Sequence, residues 1–225
     1  HGCRMCFKYC DSFPILFSAI DEQHDGDVRK LTPLDTERVM DACFQCKLCE
    51  VQCPYTPRDA HEFQVDFPKL VHRYDAIRYR KGEQPHKLRL KVLEDPDRAS
   101  AMARASFGLA NVMNRVGIHR WFMEKLVGID RRKLLPDFAQ TTFESWAKGA
   151  GLTEKGLGGE VVLFQTCYVQ GNEPQIGMDT VDVLERNGVD LRCEKGLECC
   201  GMPAWESGDL DLLRKKAHLN LDRLM

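Results

Sequence analysis

Four cysteines fall in the run Cys43-Phe-Gln-Cys46-Lys-Leu-Cys49-Glu-Val-Gln-Cys53-Pro54. The pattern C-x-x-C-x-x-C-x-x-x-C-P is one that delivers thiolates to cubane iron–sulfur clusters. Three thiolates at two-residue gaps let a single loop wrap three corners of a cubane, with backbone amides facing the sulfides. The fourth cysteine sits too far along to join that loop, and in two-cluster proteins it ligates the other cluster. Zinc sites usually take their four ligands from two separated C-x-x-C knuckles, so three successive gaps favour iron over zinc.

A second cluster predicts a second motif. Cys3-Arg-Met-Cys6-Phe-Lys-Tyr-Cys10 is the C-x-x-C-x-x-x-C tail of the same pattern. Its first cysteine is expected immediately before His1. By the ferredoxin cross-over, Cys10 joins Cys43, Cys46 and Cys49 on one 4Fe–4S cluster, and Cys3, Cys6 and Cys53 hold the other. Asp11 rather than proline follows Cys10, and 32 residues separate Cys10 from Cys43. That gap exceeds what a compact small ferredoxin spans and suits a helical ferredoxin-like domain.

Further along, Cys167 precedes Cys199-Cys200-Gly201-Met202-Pro203 by 31 intervening residues. Cys167, Cys199 and Cys200 read as ligands of a metal or a third iron–sulfur cluster, against the alternative of buried small residues. Cys167 reads as the end of the first strand of an α/β unit and Cys199-Cys200 as a helix entrance, the edges where such units carry ligands, and Gly201 would free the backbone to approach a cluster closely. Cys193 reads as a structural thiol. Three thiolates leave a site incomplete, so a C-x-x-C is expected beyond Met225.

These cysteines demand particular elements around them. All told 11 of 225 residues are cysteine, seven between Cys3 and Cys53 and four between Cys167 and Cys200. The odd count and tight clustering argue against a secreted disulfide framework. Net charge is -2, and 32 basic residues against 34 acidic give no footprint for nucleic acid. No apolar run approaches the roughly 18 residues of a membrane span. Thr32, Pro33 and Asp35 predict a helix start ahead of the second motif. Residues 61–100 read as polar and helical. From 101 to 135, seven basic residues face two acidic ones, and Met102, Val112, Met113, Val116, Trp121, Phe122 and Leu126 recur at helical spacing. That stretch either packs on the chain's own core or lies on a membrane surface or partner. Gly149 to Gly159 reads as a linker. After it the pattern becomes βαβα: a strand at 161–164, a helix capped by Asn172 and stopped at Asn187-Gly188, a strand at 189–192, and a helix opened by Ser207. The fold class is therefore α+β and multidomain. It comprises a helical ferredoxin-like domain over 1–95, a helical basic linker over 96–156, and the first part of a cysteine-rich α/β domain over 157–225.

The C-x31-C-C-G spacing resembles the first half of the CCG cysteine-rich domain. Two ferredoxin motifs ahead of it resemble the heterodisulfide-reductase-related iron–sulfur proteins, among them the iron–sulfur subunit of anaerobic glycerol-3-phosphate dehydrogenase. Asp130-Arg131-Arg132-Lys133-Leu134-Leu135-Pro136, Thr142-Phe143, Cys167-Tyr168-Val169 and Cys200-Gly201-Met202-Pro203-Ala204 extend the likeness. It implies an iron–sulfur electron-transfer subunit of an oxidoreductase complex. Two 4Fe–4S clusters would relay electrons between a flavoprotein dehydrogenase or other redox subunit and quinone or another acceptor. The chain would be cytoplasmic or peripheral on the inner face of the cell membrane. The alternative is a catalytic subunit that cleaves a disulfide at an iron–sulfur cluster of the CCG domain, whose site holds either such a cluster or zinc. No G-x-G-x-x-G is present to bind a dinucleotide within the chain itself.

Overall fold

The computed structural model describes residues 3–84, 87–153 and 161–225. The chain is mostly helical with one small parallel sheet, an α+β architecture, and it divides into two compact units, His1–Gly82 and Glu83–Met225. The division thus falls at Gly82, and the stretch 96–156 belongs to the same unit as the cysteine-rich segment.

In the first unit, α1 (Ser12–Ser18) continues through one wider turn, Ala19–Gln23. Its apolar face supplies Phe13, Phe17 and Ile20, a small core that also packs Leu16, Leu31, Phe67 and the thiols of Cys6, Cys10 and Cys49. Helix α2 (Pro33–Asp41) starts as its sequence predicts. The Thr32 hydroxyl accepts from the Asp35 amide, the Asp35 carboxylate accepts from the Thr32 amide, and Pro33 fills the first turn. Helix α3 (Leu48–Gln52) follows the Cys43–Lys47 loop. Helix α4 (Phe67–Lys81) begins at Asp66, whose side chain accepts from the Lys69 amide. Buried Arg78 of α4 donates to Asp41 at 2.6 Å and to Glu37 at 3.0 Å, which ties α4 to α2.

The second unit opens with α5 (Lys87–Leu93), α6 (Pro96–Ala105), α7 (Leu109–Arg115) and α8 (Gly117–Val127). Buried Arg120 donates to the carbonyls of Asp130 and Lys133 at 2.9 and 2.7 Å, which fixes the loop after α8. The same connection is stitched at 137–139. Asn111 exchanges two hydrogen bonds with Phe138, and Asn172 donates to the Asp137 carbonyl. The expected apolar stripe is not a core stripe within the unit: Met102, Val112, Trp121, Phe122 and Leu126 are all exposed, and Leu126 is 70% accessible.

The core of this unit is Phe143 and Ala147 of α9 (Phe143–Gly149), Val181, Leu191 and Cys193, with Trp146, Leu163 and Val169 against it. Strands β1 (Val161–Leu163) and β2 (Leu191–Cys193) pair in parallel, Val161 opposite Leu191 and Leu163 opposite Cys193. Between them run α10 (Cys167–Gly171) and α11 (Pro174–Arg186), and after them α12 (Met202–Ser207) and α13 (Leu210–Leu224). The expected stop at Asn187-Gly188 is present, with Gly188 in the left-handed region.

Three sequence expectations need correction here. Asn172 ends α10 rather than capping the next helix, because its side chain is committed to Asp137 and α11 starts at Pro174. Ser207 ends α12, its hydroxyl donating to the Ala204 carbonyl, while the Asp209 carboxylate caps α13. Cys167 opens α10 instead of ending β1. Most of the glycine-rich linker, 154–160, lies outside the described residues.

Gly177 on α11 sets how closely that helix approaches the core. A Cβ there would lie 2.5 Å from the Phe143 ring and 2.8 Å from Val169. Gly177→Ala should therefore destabilise the unit by about 1–3 kcal/mol through overpacking, although alanine is the better helix former by about 1 kcal/mol. Urea unfolding measures the sign directly. A stabilised variant would show that α11 does not rest on Phe143.

Candidate iron–sulfur sites

The eleven cysteines are all free thiols. In the first unit, Cys10, Cys43, Cys46 and Cys49 line one small cavity, walled by Phe13, Phe44, Phe67 and Pro68. Helix α1 follows Cys10 directly, while the Cys43–Lys47 loop carries two more of these thiols and α3 the fourth. That loop holds Gln45 and Lys47 in the left-handed region, at φ 54° and 63°, and Arg4 between Cys3 and Cys6 does likewise at φ 49°. Such residues cost about 1–3 kcal/mol each and persist where the surroundings impose them, often at functional loops. The Gln45 amide donates to the Cys43 sulfur at 3.4 Å, the amide-to-sulfur contact that a cluster-binding loop requires.

Electrostatics report the same proximities. Burial first, then the charges of Cys43 and Cys10, push the Cys49 thiol up to about 11. Burial raises Cys43 as well, and the charges of Cys10 and Cys46 add to it. Cys6 is raised by burial, and the charges that act on it are those of Cys3, Cys53 and Cys10. Among the described residues, no three Cys, His, Asp or Glu side chains converge tightly enough to hold one metal ion. The donor set, four thiols lining one small cavity with an amide donating to the Cys43 sulfur, is the chemistry that an iron–sulfur cluster takes.

In the second unit, Cys167 is the first residue of α10, which Thr166 caps by accepting from the Val169 amide. The buried Cys199 thiol donates to the Cys167 sulfur. That bond lowers Cys167 to about 7 against the opposing effect of burial, and it raises Cys199 strongly. Cys200 is exposed, and its charge also acts on Cys167. The three predicted thiols are therefore neighbours. Cys193 instead lies in the Phe143 core, pushed up to about 11 by burial. Gly201 is needed for a different reason than cluster approach: its φ is +88°, and a Cβ would strike Leu213 of α13 at 2.7 Å. Gln165, just before Cys167, is buried with both side-chain polar atoms unpartnered. Three neighbouring thiols are the donor type that zinc and iron–sulfur clusters take.

Sequence reasoning missed the residues that hold this loop. The Asp97 carboxylate accepts from the Cys199 amide at 2.8 Å and from Lys216 at 2.8 Å. Lys216, only 1% exposed, also donates to Asp95 at 2.9 Å and Glu198 at 3.0 Å. Burial opposes its charge, but the hydrogen bonds to Asp97, Asp95 and Glu198 win and hold it above the usual lysine range. One turn on, Asn220 clamps the same loop: it accepts from the Glu198 amide and donates to the carbonyls of Glu198 and Cys199. The only local signal was Asp95-Pro96-Asp97, which reads as a helix cap.

Lys216→Met should leave three carboxylates facing one another beside the cysteine loop. Removing one partner of a buried ion pair costs about 3–5 kcal/mol, and the partly wet carboxylates place the expected loss near about 3 kcal/mol. Thermal unfolding of the full chain reads this. A loss below about 1 kcal/mol would show that the loop is held mainly by Asn220.

Residues 161–225 match the family described as CCG: Cysteine-rich domain. The chain is 27% identical over 137 residues to a subunit of the anaerobic glycerol-3-phosphate dehydrogenase of Escherichia coli (strain K12), covering 61% of this chain and 35% of that protein. It is 45% identical over 49 residues to Lactate utilization protein A of Bacillus pumilus (strain SAFR-032), 22% of this chain and 21% of the relative. It is 39% identical over 56 residues to Lactate utilization protein A of Bacillus thuringiensis (strain Al Hakam), 25% and 23% of the two lengths. The chain thus spans about a third or less of the length of these relatives. No solved structure matches it. Residues 161–225 are thus similar to the CCG cysteine-rich family, and the chain is similar to a subunit of anaerobic glycerol-3-phosphate dehydrogenase and to lactate utilization protein A.

Proposed function

We propose that this chain is an iron–sulfur electron-transfer subunit of an oxidoreductase complex. It would relay electrons through two 4Fe–4S clusters between a flavin-containing dehydrogenase partner and quinone or another acceptor. The observation that carries this reading is the small cavity lined jointly by Cys10, Cys43, Cys46 and Cys49. Cys10 comes from one motif and its three companions from the other, as the ferredoxin cross-over requires. The Escherichia coli relative is by name a subunit of a dehydrogenase, which supports a redox partner in a complex.

Iron–sulfur clusters, when bound, supply one-electron transfer over a wide range of potentials. The chain's own residues do the rest. Cys10, Cys43, Cys46 and Cys49 hold one cluster; Cys3, Cys6 and Cys53 hold three corners of the other. Phe13 and Phe67 cover one side of the first of these, and the Gln45 amide steadies the Cys43 sulfur. Cys167, Cys199 and Cys200 hold a third cluster or a zinc ion, placed by Thr166, Asp97 and Asn220. Thiols with raised pKa values must lose protons to bind metal, so loading releases protons and weakens in acid.

The full chain purified without oxygen should carry about eight iron atoms on the cysteines between Cys3 and Cys53. Cys46→Ser should remove one cluster's spectroscopic signal and about half of that iron, while Cys200→Ser leaves both ferredoxin-type signals intact. Zinc in place of iron would end the relay reading, and persistence of both signals in Cys46→Ser would overturn the ligand assignment.

The chain is also proposed to act peripherally at the inner face of the cell membrane. Among the described residues no helix is long and apolar enough to cross a membrane. Trp121, Phe122 and Leu126 are exposed on α8 beside Lys125. Sedimentation with anionic lipid vesicles should fall as salt rises, since exposed charges are screened beyond about 8 Å at physiological ionic strength. Salt-insensitive behaviour, or no sedimentation, would count against a charged membrane contact.

A further inference from the structure

The helices ahead of the cysteine-rich segment form a half-open cavity that the proposed relay leaves unused. It measures about 720 Å³ and is formed by residues of α5, α6, α7 and α8, with Phe138 closing one side. Ordinary small-molecule sites occupy about 300–1,000 Å³, are mostly apolar, and carry a few polar groups that orient the ligand. The room exists because Ala99, Ala103 and Ala110 stand where larger side chains would fill the space between α6 and α7. Met102 and Met113 contribute flexible thioethers that adapt to irregular apolar bodies.

Three polar features set the chemistry. His119 lines the cavity, and its Nδ1 is buried with no hydrogen-bond partner. A buried orphan nitrogen costs about 1–3 kcal/mol until something satisfies it. Arg98 is exposed at the cavity, and among the described residues its guanidinium has no carboxylate partner. Lys91 adds a second cation on the same wall. The one acid in the lining, Asp95, is already committed to Lys216 at 2.9 Å. The cavity is therefore apolar within, cationic at its rim, and one hydrogen-bond acceptor short.

We propose that this cavity binds a small amphiphilic carboxylate, its chain or ring among Ala99, Ala103, Met102 and Met113 and its carboxylate beside Arg98 and His119. Arg98 pairs the anion, and His119, with its proton on Nδ1, donates to one carboxylate oxygen. The site also adjoins the cysteine loop by a continuous set of hydrogen bonds. Asp95 holds Lys216, Lys216 holds Asp97, and Asp97 holds the Cys199 amide. A ligand anion on this wall thus lies within reach of the charge network that positions Cys199. The binding claim is independent of the relay and stands whether or not the thiols hold clusters.

The test is calorimetric titration of the full chain with decanoate, and with decanol as the neutral analogue. Decanoate should bind saturably, and decanol at least tenfold more weakly. Arg98→Gln should weaken decanoate about tenfold with little effect on decanol, and His119→Leu should weaken it as well. Ala99→Phe, which fills the cavity, should abolish binding of both, with unchanged thermal unfolding and iron content serving to show that each variant is folded. Equal affinity for decanol and decanoate would overturn the anionic class, as would tighter binding of a neutral naphthoquinone. Undiminished binding by folded Ala99→Phe, or no saturable decanoate binding in the millimolar range, would overturn the site itself.

Discussion

One ammonium group governs the geometry of the second unit. Lys216 lies in the middle of α13, only 1% exposed, and three carboxylates converge on it. A lysine buried alone would shed its proton or pull its helix toward water, since desolvating the charge costs several kcal/mol. Asp95 and Asp97 at the start of α6 and Glu198 in the cysteine loop remove that penalty only by being held close. The helix start, the loop and α13 therefore cannot shift independently. Because Asp97 also takes the Cys199 amide, the thiol position is set by the same charge balance. Asn220, one turn further along the same face of α13, fixes the loop's peptide groups. Charge fixes where the loop sits, and the amide fixes how it is oriented.

The first unit reaches a comparable end by packing. Its small core is partly made of sulfur: Cys6, Cys10 and Cys49 rest against Phe13, Phe17 and Ile20. Phe67 of α4 meets Phe13 at 4.9 Å between ring centroids, so α4 closes over the thiols from the far side. Arg4 lies over the Phe17 ring at 4.7 Å and forms a two-pronged pair with Asp21 at 2.6 and 2.7 Å. That fork holds the Cys3–Cys6 loop in its left-handed turn. An apolar wall favours neutral thiols, as the raised Cys49 and Cys6 values record. Burial of these thiols among aromatic rings, rather than ion pairs, sets the chemistry of this unit.

What the sequence revealed and what it hid divide along contact distance. The C-x-x-C-x-x-C-x-x-x-C-P run, the Thr32–Asp35 capping box and the Asn187-Gly188 stop are local, so residue types at fixed short spacing specify them. The Lys216–Asp97 pair spans 119 residues. Along α13, Lys216 flanks the stripe of Leu210, Leu213 and Ala217 as an ordinary lysine would, and nothing nearby marks it as buried. Asp209 displaced Ser207 as the cap of α13 because the serine hydroxyl found the Ala204 carbonyl one turn back. Arg120 looked like one of seven basic residues on a charged stretch. It is instead the buried donor that folds the loop after α8 onto that helix.

The sheet itself does less than its topology suggests. Two strands of three residues are too little to be stable alone, and Val161 remains 37% exposed. Their role is to set register. Leu163 and Cys193 stand opposite one another, and from that shared edge the two chain segments leave in the same direction. One reaches Cys167 through Gln165 and Thr166, and the other reaches Cys199 through Leu197 and Glu198. Parallel pairing thus sends both thiol-bearing segments off the same edge, and a slip in pairing would break the hydrogen bond between Cys167 and Cys199. The strands, however, carry none of the candidate ligands. Thr166 at the start of α10, and Asp97 and Asn220 reaching in from other helices, complete the positioning. Helix ends therefore hold the sulfur, and the strands decide only which helix ends meet.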